Sequence, residues 1–176
     1  GEAERQCRQT VRKLRRENPN AFLVVTGCAA QIAPDAYAKM PEVDKVLGNN
    51  EKLDPNAYKK IAPALSVGDI DSPDAPLNAH MPFYFEGRNR AFIQIQQGCD
   101  HACTFCIVTK ARGKNKSLPP EKIIAHAQKL VDEGYPEIGL TGVDITSYPD
   151  LAGLTKRLFK EVSGLKRLRL GALDPE

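Results

Sequence analysis

Cys99, Cys103 and Cys106 stand close together in the run QQGCDHACTFCIVTKARG. A C-x3-C-x2-C loop can give three thiolates to a four-iron cluster and leave the fourth iron without a protein ligand, whereas clusters that only carry electrons take four cysteines. An open iron admits a substrate or cofactor, as the open position of a catalytic zinc site does. Two other readings compete: a zinc site with His101 as fourth ligand, and ordinary buried thiols. Zinc knuckles favour paired C-x2-C units, and this loop has one such pair plus an outlier. A disulfide framework is disfavoured by the odd total of five cysteines and the absence of a visible signal peptide.

Such a loop needs a scaffold, and the pattern around it supplies one. A strand is predicted over Ala91–Ile95, directly before the cysteines. Pro119-Pro120-Glu121 opens a helix with Ile123, Ile124, Ala127, Leu130 and Val131 on its apolar face and Gly134 at its end. A strand at 137–140, a helix at 150–162 and a strand at 167–170 follow. This β–α–β–α–β order implies parallel strands with right-handed crossovers, the first half of a (β/α) barrel. Reactive groups in such folds cluster after the C-terminal ends of the strands. Both the cysteine loop and Thr141-Gly142-Val143-Asp144 fall there.

The first part of the chain reads as a separate, smaller α/β domain. Residues 3–17 form an amphipathic helix with Cys7, Val11 and Leu14 on one face, ended by Asn18-Pro19-Asn20. A strand at 22–26 turns at Gly27-Cys28 into a helix over 29–40. A second strand is expected at 43–47, and a helix starting near Asn50. Cys28, at the end of a strand and the start of a helix, has its thiolate favoured by the helix dipole, although a buried thiol is the competing reading. Residues 68–87, rich in proline and aspartate, read as a linker whose tail Phe83-Tyr84-Phe85 packs on the next domain. The expected division is 1–67, the linker 68–87, and 88–176.

The formal charge of +3 is too mild to indicate a nucleic-acid partner by itself. The basic residues are clustered, however. Arg5, Arg8, Arg12, Lys13, Arg15 and Arg16 crowd the first helix; Lys110, Arg112, Lys114 and Lys116 follow the cysteines. Either cluster can neutralise phosphates, a solvated helix face being the alternative for the first. No apolar run approaches the roughly 20 residues that cross a bilayer, and the expected location is the cytoplasm.

The cysteine loop with Phe105 before its last cysteine resembles the radical S-adenosylmethionine (SAM) enzymes. Together with Gly27-Cys28-Ala29-Ala30-Gln31, it resembles their methylthiotransferase family. The likeness extends over Gly98–Ile107, Arg112-Gly113, Leu140–Tyr148, Arg167–Leu170 and Asp174-Pro175. Within the family, C-D-H-x-C-T-F-C-I and T-G-V-D-I-T-S-Y are most like the branch acting on threonylcarbamoyladenosine beside the tRNA anticodon.

The resemblance implies a remnant of an N-terminal Rossmann-like α/β domain followed by the first half of a radical-SAM (β/α) barrel. It also implies two [4Fe-4S] clusters and SAM, with one-electron cleavage of SAM yielding a 5′-deoxyadenosyl radical. Cys99, Cys103 and Cys106 would ligate the first cluster and Cys28 the second. Phe105, Thr141, Gly142 and Asp144 would line the SAM site, Asp144 accepting a hydrogen bond from the SAM ammonium or, alternatively, capping a turn. The implied partners are the tRNA anticodon stem-loop and an electron donor such as flavodoxin or ferredoxin.

Three departures accompany the likeness. Only Cys28 of the second cluster's three cysteines is in the chain, and Cys7 matches no family ligand. Asn115-Lys116 replaces a common Ser-Arg, and Gly171-Ala172 replaces small hydroxyl residues. Both ends read as cut from a longer protein. A ribosomal-protein methylthiotransferase of the same architecture and a non-catalytic zinc-binding RNA module are the alternative functions.

Overall fold

The computed structural model describes residues 1–72, 87, 89–101, 103–171 and 173. Phe83-Tyr84-Phe85, most of the expected linker, Ala172 and Asp174-Pro175 lie outside the described residues. The chain divides into two units, Gly1–Pro76 with Phe105–Arg112, and Leu77–Thr104 with Gly113–Glu176. Both are built from helices and parallel strands.

In the first unit, helix α1 (Glu2–Glu17) carries Glu2 and Glu4 in its first turn and Arg15 and Arg16 in its last, which complements the helix dipole. Ion pairs Glu2–Arg5, Glu4–Arg8 and Lys13–Glu17 join residues one turn apart. Val11 is buried and Cys7 packs beside it against Val25, Ala30, Tyr37, Met40 and Val46. Leu14, expected on the same face, is instead 41% exposed. The turn that carries it is bound through Arg15, whose guanidinium donates to the carbonyls of Pro19, Ala21 and Glu42 and to Asp44 at 2.5 Å.

Strands β1 (Val24–Thr26), β2 (Lys45–Leu47) and β3 (Leu65–Ser66) form a parallel sheet in that order, with Val25 opposite Val46 and Leu47 opposite Ser66. The helix expected over 29–40 is two short ones, α2 (Cys28–Ile32) and α3 (Pro34–Ala38), with Ala33 between them at φ −133° and ψ 59°. Pro34 brings no N–H and pushes the preceding residue out of the helical region. The helix expected from Asn50 is a pair of 3-10 turns, Glu51–Leu53 and Pro55–Tyr58. Asp54 between them accepts from the Asn56 amide at 2.9 Å and starts the second turn.

Lys45 of the central strand is buried, an unusual place for a lysine. Its ammonium donates to the carbonyls of Ala57, Lys59 and Ala62 at 3.0, 2.5 and 3.0 Å, so its charge ties down the 3-10 region. A short helix α4 (Val108–Arg112), not foreseen from the sequence, joins this unit. It packs on α2, and Asn49 donates to the buried Ala111 carbonyl at 2.7 Å.

In the second unit, strand β4 (Arg90–Gln94) leads to a short antiparallel pair, β5 (Gln96–Gln97) with β6 (Lys116–Ser117). Helix α5 (Pro120–Asp132), strand β7 (Glu137–Thr141), helix α6 (Leu151–Glu161) and strand β8 (Arg167–Leu170) follow. The sheet is parallel in the order β4-β7-β8, with Ile93 opposite Leu140 and Ile138 opposite Leu168. Pro120 stands in the first turn of α5, and Gly134, at φ 97°, follows its end. Asp150 caps α6 by accepting from the Gly153 amide at 2.8 Å.

Alternation along the strands sorts their two faces. Ala91, Ile93, Ile138 and Leu140 pack against Ile123, Ala127 and Leu130 of α5 and Leu154 and Leu158 of α6. Arg90, Phe92 and Gln94 alternate with them. Phe92 lies over Gly139 of the neighbouring strand, where a Cβ would come within 2.6 Å of the ring. Among the described residues, no helix is long and apolar enough to cross a membrane.

Candidate cluster and cofactor site

Gly98 opens the cysteine loop. Its φ of 74° is left-handed, and a Cβ there would fall 1.9 Å from the Lys114 carbonyl oxygen, so only glycine fits. The Cys99 amide then donates to the Gly113 carbonyl at 3.1 Å, fixing the root of the loop to the segment that follows it. The Cys99 sulfur accepts from the His101 amide at 3.4 Å. Hydrogen bonds of this kind to thiolate sulfur tune cluster potentials.

The second strand end supplies the acid. Thr141 closes β7, and its carbonyl accepts from the Ile95 amide at 2.8 Å. Gly142 has no room for a side chain: a Cβ would lie 2.7 Å from Gln96 Oε1 and 2.8 Å from Ile145 Cγ2. Asp144 is buried and accepts from the Thr146 amide at 3.2 Å and from the hydroxyls of Thr146 and Ser147. It starts a 3-10 turn, Ile145–Ser147. His101 Nε2 stands 3.3 Å from Asp144 Oδ2.

Burial works against the Asp144 charge, but the bonds from Ser147, Thr146 and His101 outweigh it and hold the carboxyl below the usual aspartate range. The acid is therefore ionised at neutral pH. Ligand atoms of Cys99, His101 and Asp144 all lie within 4.8 Å of one another.

Gln96 joins the two strand ends. It is fully buried; its Oε1 accepts from the Val143 and Asp144 amides at 2.8 and 2.9 Å, and its Nε2 donates to the Gly98 carbonyl at 2.7 Å and to Asn115 Oδ1 at 2.9 Å. In the sequence it stands three residues before Cys99, as the glutamine of the Q-x-G-C run that opens the family-like cysteine loop, and that run was the available signal; no role follows from it without the partners the fold supplies.

The other residues singled out in the sequence fall as follows. Cys99 and Cys106 are half-buried, Cys103 is exposed, and all five cysteines of the chain are free thiols. Phe105 is 92% exposed. Cys99, His101, Thr141, Gly142 and Asp144 belong to the second unit; Phe105, Cys106 and Cys28 belong to the first. Cys28 opens α2 behind Gly27, whose φ is 104°. That helix has five residues, so any dipole at Cys28 is that of little more than one turn. Lys52 lies in the field of Cys28. Burial, then the Arg112 guanidinium, hold the Lys52 ammonium below the usual lysine range, and Cys28 opposes them.

Within the second unit the donors suit an iron–sulfur cluster: Cys99 and Cys103 are free thiols, and a backbone N–H is already directed at the Cys99 sulfur.

Residues 93–172 match the model of the radical SAM superfamily. The chain is 45% identical to the threonylcarbamoyladenosine tRNA methylthiotransferase MtaB of Rickettsia prowazekii, over 98% of this chain and 42% of the relative. It is 35% identical to the protein of the same name from Bacillus subtilis, over 97% of this chain and 40% of the relative. A tRNA-2-methylthio-N(6)-dimethylallyladenosine synthase of Clostridium botulinum is 34% identical over 93% of this chain and 39% of its own length. The chain thus spans about two fifths of these curated relatives.

Proposed function

We propose that this chain belongs to the radical-SAM methylthiotransferase family, a reading supported by its likeness to the radical SAM model and to curated methylthiotransferases, and that the full-length protein places a methylthio group on carbon 2 of threonylcarbamoyladenosine beside the tRNA anticodon. The observation that carries the reading is the ionised Asp144 carboxylate within 4.8 Å of the Cys99 thiol. A negative acceptor beside the first cluster ligand is what the ammonium of an iron-bound amino acid requires.

Cys99, Cys103 and Cys106 would hold the cluster, with SAM on the remaining iron. When bound, cluster and SAM supply the radical chemistry and the methyl group, and a second cluster, to which Cys28 contributes, the sulfur. Asp144 would receive the SAM ammonium, with Thr146 and Ser147 keeping its carboxylate oriented. Thr141 and Gly142 form the wall beside it, Gly142 because a side chain there would collide with Gln96. Phe105, the aromatic residue before the last cysteine of the loop, would cover the adenine of bound SAM.

The parallel order β4-β7-β8, with α5 and α6 on one face, supports the first half of a (β/α) barrel within 88–176. The β1-β2-β3 sheet supports a Rossmann-like remnant in 1–67, joined through 68–87. The partners in this reading are the tRNA anticodon stem-loop and a flavodoxin or ferredoxin in the cytoplasm.

Nucleoside analysis of tRNA from a deletion strain tests the function. Loss of the methylthio group from threonylcarbamoyladenosine is expected. Retention of it, with loss of methylthiolation on a ribosomal protein, would assign the protein to the other substrate class. A second reading rests on the closeness of Cys99, His101 and Asp144, which could hold zinc. Metal and sulfide analysis after anaerobic reconstitution decides between them: iron with sulfide supports the enzyme, and stoichiometric zinc without iron supports a binding module.

A further inference from the structure

A primary amide offers two hydrogens and two lone pairs, and Gln96 uses all four on two loops. The Val143 and Asp144 amides bind its oxygen at 2.8 and 2.9 Å. Its nitrogen binds the carbonyl of Gly98, the residue next to Cys99, and Asn115 Oδ1. Asn115 repeats the link one shell out, donating its amide to Asp100 Oδ1 at 3.0 Å and its side-chain nitrogen to the Ser147 carbonyl at 3.2 Å. The peptide before Cys99 and the two amides leading into Asp144 are therefore clamped by one side chain.

A buried position takes an apolar residue at lower cost than a glutamine, unless the amide is fully partnered. Here it is fully partnered, and the missing Cβ of Gly142 is what allows the approach.

We infer that Gln96 is a positioning residue that sets the distance between the Cys99 end of the cluster loop and the Asp144 carboxylate, and thereby the affinity for SAM. This rests on the reading of Cys99 and Asp144 given under Proposed function. A purely structural glutamine would, when replaced, lower stability and cluster content together. A positioning glutamine would lower SAM affinity in protein that still loads iron.

The test uses the full-length protein with Gln96→Leu and Gln96→Glu. Glutamate keeps the acceptor for Val143 and Asp144 but loses the donors to Gly98 and Asn115. Iron per chain should match wild type in both variants. The Kd for SAM of the reconstituted protein should rise about tenfold or more in Gln96→Leu, the loss of two or more buried hydrogen bonds, and at least as much in Gln96→Glu, whose second carboxylate oxygen meets the Gly98 carbonyl and Asn115 Oδ1. In the metal-free full-length chain, hydrogen exchange over 141–148 should quicken in Gln96→Leu while exchange in 151–161 stays unchanged.

A wild-type Kd in an iron-loaded variant, or loss of iron from both variants, would overturn the inference. If Gln96→Leu does not fold, Gln96→Glu decides by the same two measurements. Wild-type protein that loads iron yet binds no SAM would sink the functional reading instead. The exchange measurement then decides on Gln96: unchanged exchange over 141–148 removes the clamp, and quickened exchange there alone retains it.

Discussion

The side-chain amide of Asn49 donates to the carbonyl of Ala111 at 2.7 Å, with both residues buried and 62 positions apart in the chain. Asn49 also accepts from Lys52 at 2.8 Å, and its own backbone amide donates to Gln31 Oε1 at 2.8 Å. It thus binds α4, which follows the cysteine loop, to the unit that contains Cys28. Asn49→Ala leaves the Ala111 carbonyl buried without its donor, a loss of about 1–3 kcal/mol. Urea denaturation of the full-length protein measures it. Faster proteolytic cleavage within 105–112 is expected beside the stability loss, and a change below about 0.5 kcal/mol would show that the bond is dispensable.

Lys45 holds three carbonyls from inside the sheet, so Lys45→Met fills the space but leaves Ala57, Lys59 and Ala62 without their donor. Loss of about 3 kcal/mol is expected in the same denaturation experiment, more than for Asn49→Ala, because a charged donor is removed from several acceptors. A methionine variant as stable as wild type would mean that water replaces the ammonium at no cost.

Glu137 faces three guanidinium groups, those of Arg169, Arg90 at 2.5 Å and Arg167 at 3.4 Å. The Arg169 hydrogen bond, opposed by burial and reinforced by Arg90, holds its carboxyl below the ordinary glutamate range. As pH falls, an unfolded chain binds this proton near pH 4.3, before the folded chain does. The stabilisation is therefore complete above that value and is lost as pH falls through the lower folded value. Melting temperatures measured downward from pH 6 should drop more steeply for wild type than for Glu137→Gln. Parallel curves would show that the three arginines contribute nothing through this acid.

Cys28 and Cys7 sit in different surroundings. Cys7 packs in the first unit's core beside Val11 and Tyr37, whereas Cys28 opens α2 in the field of Lys52. In the full-length protein, Cys28→Ala should remove one cluster and stop sulfur insertion while SAM cleavage continues. Cys7→Ala should cost about 1 kcal/mol and leave both clusters. Iron counts decide; loss of a cluster from the Cys7 variant would reverse the assignment.

The two basic groups should differ in tRNA binding. On α1, Arg5 and Arg8 are paired with Glu2 and Glu4, and Arg15 is spent on backbone carbonyls, so Arg5→Gln with Arg8→Gln should leave binding unchanged. Neutralising Lys110 and Lys114, both exposed, should weaken binding. It should also flatten the dependence of log K on log salt by roughly 0.7–0.9 for each phosphate no longer neutralised. A slope unchanged by the second pair would exclude these lysines from the RNA interface.

Much of this was legible in the chain itself because it depends on spacing. The period of apolar residues located α1, α5 and α6, and short apolar or alternating segments between turn signals located β1, β4, β7 and β8 within a residue or two of their observed ends. The C-x3-C-x2-C loop and T-G-V-D needed no coordinates to be noticed, since ligand spacing and strand-end placement are local properties.

Local pattern failed where the deciding partner is distant in sequence. Leu14 has helical spacing with Val11, yet the turn it occupies is held by Arg15 on carbonyls of 19–21 and 42. Lys45 reads as a surface charge until the carbonyls of 57–62 close around it. Gln96 reads as a loop glutamine until β7 delivers two amides to its oxygen and the cysteine loop a carbonyl to its nitrogen. A side chain's own type says what it can bind, and spacing says which neighbours lie on its face. Only the folded chain decides whether a buried polar group finds partners 12 to 48 residues away, because an unpartnered one there costs more than any local propensity returns.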